Sequence, residues 1–158
     1  MQPIDLSWSL DREIQQVHEL LSASMSLEER LQAVCEHVHK HIPHCDWVGF
    51  YFIHPDKERV LLLGPFVGEP TEHNEIPFGK GICGQVAESL QTYTSDDVSK
   101  ESNYIACSLT VRSEIVVPIL KEGRFWGQLD IDSHAVAAFG AQHQQFCEAI
   151  CKRIAHYI

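Results

Sequence analysis

The chain begins with helical spacing and then changes period. Across residues 3 to 24 the apolar positions Ile14, Val17, Leu20 and Leu21 recur three and four apart with charges between them, which predicts an amphipathic helix. Ser26, followed three residues later by Glu29, is a capping signal for a second helix running to about His41, with Leu27, Leu31, Val34 and Val38 inward. Past residue 46 the runs turn β-rich. WVGFYFI (47–53) and RVLLLGPF (59–66), separated by HPDKE, predict a hairpin. The polar stretch VGEPTEHNEIPFGKG reads as a loop that delivers the chain to a helix from Ile82 to about Leu90. Cys83 then falls in the first turn of that helix, where the positive end of the helix dipole favours a thiolate. TYT (92–94) is a short strand, and DDVSKESNYIA is a polar excursion with Cys107 at its far end. SEIVVPIL and RFWGQLDIDS form a second hairpin across KEG, and FGAQHQQFCEAICKRIAHYI closes the chain as a helix. This order predicts an α+β fold, a central antiparallel sheet with an N-terminal helical hairpin and a C-terminal helix packed mainly on one side.

Composition narrows the picture. The chain has 158 residues, 44% of them hydrophobic, enough for one full core, so residues 1–158 are read as one domain. A net charge of −10 leaves no basic stripe for a phosphate backbone, which argues against nucleic acid as a partner. No apolar run approaches the roughly 18 residues of a membrane span. The N-terminal MQPIDLSWSL lacks the basic and apolar segments of a secretory signal, so a cytoplasmic location is expected. The six cysteines include no CxxC pair and read as free or redox-active thiols rather than a disulfide framework. Cys147 and Cys151 share a helix face with Ile154, and together with Cys35 and Cys45 they read as core or dimer contacts.

Candidate chemistry concentrates between Gly79 and Ser133. In the strand LDID, Leu129 and Ile131 face one way and Asp130 and Asp132 the other. Glu114 adds a third acid on the neighbouring apolar run. An unpaired buried charge is costly, so these carboxylates line a pocket, pair with something, or satisfy loop amides at a strand end. A different cluster lies in CEHVHKHIPHC, where His37, His41 and His44 share one helix face and Cys35 and His39 another. No single face offers four ligands, so the segment reads first as a solvated histidine face, with a weak metal-binding role as the alternative, and no metal ligand is assigned.

The succession WVGFY, LLLGPF-x-G, IPFGKGICG, YIAC, SEIVVP and G-x-LDIDS resembles a GAF domain and, within that superfamily, the free methionine-(R)-sulfoxide reductases, over roughly residues 26 to 155. The resemblance implies a cytoplasmic, homodimeric enzyme acting against oxidative damage. It would reduce free methionine-(R)-sulfoxide with thioredoxin as reductant and without a cofactor. The family's catalytic cysteine falls on Cys107 and its GVCG cysteine on Cys83, while its acids fall on Glu114, Asp130 and Asp132. The aromatic strand supplies Trp47 and Tyr51 as substrate-binding residues, the indole packing on the substrate methyl. A further family cysteine, which resolves the sulfenic acid, belongs in the loop after LGPF-x-G. Here that loop reads EPTEHNE, with His73 near the expected position, which leaves Cys83 as the substitute. The alternative is a stand-alone GAF sensor that binds a small cationic or zwitterionic ligand in the acidic pocket without turning it over.

Overall fold

The computed structural model describes residues 8–102 and 110–158. Helix α1 (Leu10–Leu21) is capped by Ser9, and α2 (Leu27–His41) by Ser26, whose hydroxyl accepts the Glu29 amide at 3.1 Å. Then come β1 (Trp47–Ile53), β2 (Val60–Val67), β3 (Glu75–Pro77), α3 (Gly81–Ser89), β4 (Tyr93–Ser95), β5 (Ser113–Lys121), β6 (Arg124–Ser133) and α4 (Ala141–Ile154). The strands form one antiparallel sheet in the order β3-β2-β1-β6-β5-β4. Both expected hairpins are present. The loop expected between the first hairpin and α3 also contains β3, which pairs with the outer edge of β2. The part of the expected first helix before Trp8 lies outside the described residues.

Local geometry fixes the sheet. The β5–β6 hairpin closes through Glu122 and Gly123, both left-handed with φ of 53° and 77°, a two-residue turn whose twist matches the strands it joins. Between β1 and β2 the register shifts at Gly49/Tyr51, opposite Gly64 and Pro65. A bulge is where a proline in a strand costs no ladder bond.

Alternation along the strands divides the molecule. Val48 and Phe50 of β1, Ile115, Val117 and Ile119 of β5, and Leu129 and Ile131 of β6 pack against Val17, Leu21, Leu31, Val34, Phe146, Ile150 and Ile154 of α1, α2 and α4. Cys35, Cys45, Cys147 and Cys151 are buried in this layer, where the thiols behave as small apolar groups. The opposite face carries a smaller apolar cluster around Trp47, Tyr51, Leu61 and Val116 beneath Ile82, Cys83 and Val86 of α3. It is on this second face that the strands place their acids. No helix among the described residues is long and apolar enough to cross a membrane.

Candidate active site

Strand register brings the candidate residues into two rows. Ser95 of β4 pairs with Glu114 of β5, Glu114 with Asp132 of β6, and Asp132 with Trp47 of β1. Along the next row Tyr93 pairs with Val116, Val116 with Asp130, Asp130 with Gly49, and Gly49 with Phe66. Directly paired residues share a face, so the three carboxylates form a triangle spanning only two strands.

All three acids are removed from solvent, with Glu114 3%, Asp130 0% and Asp132 1% exposed. The first turn of α3 lies over them. The Cys83 thiol donates to Asp130 Oδ2 at 3.4 Å and reaches Glu114 Oε1 at 3.9 Å. Cys83 therefore occupies the expected first helical turn, and its thiol faces carboxyl oxygens. Burial raises the carboxyls of Glu114 and Asp132 well above the ordinary range, and charge repulsion within the cluster adds to it. Asp130 is raised less, to about 6. Burial pushes it up, while hydrogen bonds received from Glu114, Asp132 and Cys83 hold it down. With all three ionised, both Asp132 oxygens would lack a donor among the described residues. Protons on Glu114 and Asp132, donated within the cluster, remove that penalty. Burial thus opposes the charged form at Glu114 and Asp132 more than at Asp130, which makes Asp130 the acid that ionises first.

Aromatic residues wall the adjoining row. Trp47 stacks on Phe66 with ring centroids 5.7 Å apart and on Tyr51 at 6.4 Å. Gly49 makes room for the indole, since a Cβ there would stand 2.5 Å from Trp47 Cη2 and 2.8 Å from Phe66 Cβ. The loop from Gly68 to Asn74 is tied to this wall by its carbonyls. Trp47 Nε1 donates to Glu69 O at 3.1 Å, and the Tyr51 hydroxyl donates to His73 O at 3.0 Å.

Cys83, Glu114, Asp130 and Asp132 are thus brought together, with Trp47 and Tyr51 beside them on β1. Cys107 lies outside the described residues. Among the described residues on its N-terminal side, Glu101 accepts from the Tyr93 hydroxyl at 2.6 Å and from Ser95 Oγ at 2.9 Å. On its C-terminal side, the Arg112 amide donates to Ser133 O at 2.7 Å. Sequence reasoning missed Glu101 and also Gln128, which is fully buried and donates through Nε2 to Cys83 O at 3.1 Å. The one signal for Gln128 was its place two residues before Asp130 on the same strand face. An open groove of about 660 Å³ bordered by Phe52, Ile53, Pro65 and Trp126 lies elsewhere and contains none of the candidate residues.

An antiparallel sheet that places a buried thiol against three carboxyls under a short helix defines an α+β domain of the GAF kind. The family model described as "GAF domain" matches residues 24–158, and the chain belongs to that family. Among curated relatives, it is similar to the free methionine-R-sulfoxide reductase of Saccharomyces cerevisiae, 39% identical over 69% of this chain and 61% of the yeast protein. The chain therefore spans about six tenths of that relative's length. Among solved structures, the reduced form of fRMsr from Staphylococcus aureus is 31% identical with a TM-score of 0.87, covering 99% of this chain and 98% of that one. The free methionine-R-sulfoxide reductase of Neisseria meningitidis, solved in complex with its substrate, is 29% identical with a TM-score of 0.88, covering 99% and 95%.

Proposed function

We propose that this chain reduces free L-methionine-(R)-sulfoxide to methionine. The observation that carries the reading is the cluster of Cys83, Glu114, Asp130 and Asp132 beside an aromatic wall, in a chain similar to proteins named for that activity. The Cys107 thiolate attacks the sulfoxide sulfur while Glu114 or Asp132, each held protonated by burial, gives a proton to the departing oxygen. Asp130, the acid ionised first, pairs with the substrate ammonium. Trp47 and Tyr51 enclose the thioether methyl, an apolar and polarisable group that suits an aromatic face. The sulfoxide gains two electrons and becomes methionine, and Cys107 becomes a sulfenic acid. The Cys83 thiol condenses with that sulfenic acid, releasing water and forming a disulfide, which the dithiol of thioredoxin reduces. A cytoplasmic homodimer completes the reading, and sedimentation equilibrium tests the dimer.

The decisive experiment adds one equivalent of free methionine-(R)-sulfoxide to the fully reduced protein, with the S epimer and a peptide-bound sulfoxide as controls. Methionine from the R epimer alone, with loss of two thiols, is expected. Cys107→Ser should abolish methionine formation, and Cys83→Ser should reduce the thiol loss to one. If no methionine forms while the ligand still binds, the chain is a GAF sensor and the catalytic reading fails.

A further inference from the structure

On the other side of the sheet, the N-terminal helical hairpin holds an acid that the thiol–carboxylate pocket does not use. Glu13 of α1 is 2% exposed. Its carboxylate faces two imidazoles of α2. His37 Nε2 lies 2.7 Å from Glu13 Oε2, and His41 Nδ1 lies 3.9 Å from Glu13 Oε1. The histidines are four residues apart, so they stand one above the other on a single helix face, and their rings stack at 4.1 Å with planes 19° apart. One nitrogen from each histidine and one oxygen of Glu13 all lie within 4.8 Å of one another.

We propose that Glu13, His37 and His41 form a binding site for one divalent transition-metal ion of the Zn²⁺ or Co²⁺ type, bridging α1 and α2. Metal–nitrogen and metal–oxygen bonds near 2.0–2.1 Å place tetrahedral ligands roughly 3.3 Å apart, so the donors need to shift by about 1 Å. His41, 39% exposed, can rotate to do this and also leaves an entry path and an open position for water. His37 is part-buried with Nε2 already against the Glu13 carboxylate, and the tautomer that carries its proton on Nδ1 presents Nε2 to the ion. Two imidazoles and one carboxylate suit zinc, cobalt, nickel or copper rather than magnesium or calcium. Arg12 Nη2, 3.7 Å from Glu13 Oε1, competes for the carboxylate, but its side chain is 52% exposed and can turn outward. The sequence segment alone hid this site because its third ligand comes from the other helix.

The test uses untagged, chelator-stripped, full-length protein titrated with Co²⁺ and Zn²⁺, followed by calorimetry and absorption. One equivalent should bind with the visible d–d bands of a four-coordinate cobalt ion and no thiolate-to-cobalt charge-transfer band in the near ultraviolet. That spectroscopic signature separates it from the other such group among the described residues, Cys83, Glu114 and Asp130. His41→Ala, at an exposed position that leaves the apo fold intact, should weaken binding at least about tenfold, as should Glu13→Gln. Zinc at a hundredfold its wild-type dissociation constant should raise Tm by at least about 5 °C in the wild type and by about half that or less in His41→Ala. Binding unchanged by His41→Ala, a thiolate band that Cys83→Ser removes together with all uptake, or no uptake at micromolar metal would each overturn the proposal.

Discussion

At the scale of single residues, the pocket depends on where side chains are missing as much as on where they are present. Gly49 is the residue opposite Asp130, and the Trp47 indole occupies the space its Cβ would take. Gly49→Ala should therefore displace the indole rather than be absorbed. The expected cost is about 1–3 kcal/mol in urea denaturation, as for overpacking elsewhere. The KM for the sulfoxide should rise several-fold, and an unchanged KM would separate Trp47 from the substrate. The acids were legible as a group, since alternation in LDID put Asp130 and Asp132 on one face. The unequal protonation was not, because it depends on Asp130 receiving hydrogen bonds from partners on three different elements.

At the scale of elements, α3 and the β5–β6 hairpin meet through Gln128. Its Nε2 holds the Cys83 carbonyl, while its Oε1 has no hydrogen-bond partner among the described residues. Gln128→Leu loses one buried hydrogen bond and removes one unpartnered oxygen, so its net effect on stability should stay within about 1 kcal/mol. The tether on the first turn of α3 would nevertheless be gone. Rapid-quench measurement should find the first equivalent of methionine released at the normal rate and loss of the second thiol slowed. Equal slowing of both steps would instead place Gln128 at the sulfoxide. Helices, hairpins and the helix start at Cys83 followed from capping residues and from periods of 3.6 and 2. The meeting of Cys83 with Asp130 joins residues 47 apart in sequence, and no local period encodes it. Likewise β3 is three residues long and sits in a polar loop, too short for alternation to declare itself.

For the whole molecule, the buried acids tie stability to pH. Asp130 has its folded value raised from 3.8 to about 6, so the folded state binds its proton more tightly than the unfolded chain does. That contribution is fully present below about pH 4 and is lost as pH rises through about 6, a change of a few kcal/mol. Asp130→Asn, which cannot ionise, should be more stable than the wild type at pH 7.5 and show little advantage at pH 4, as read from thermal melts across the range. An equal advantage at both pH values would mean that the charge is not what strains the fold. The two-residue turn at Glu122 and Gly123 has a further consequence for folding itself. A slip of one residue between β5 and β6 would turn one strand over relative to the other, carrying either Glu114 or the pair Asp130 and Asp132 toward the apolar helices and sending Ile115, or Leu129 and Ile131, to the other side. The penalty for burying even one of these carboxyls among the helices makes that misfolded state self-rejecting. The acids thus proofread the strand pairing, and a chain in which they are replaced by apolar residues would lose a safeguard against misassembly along with its chemistry.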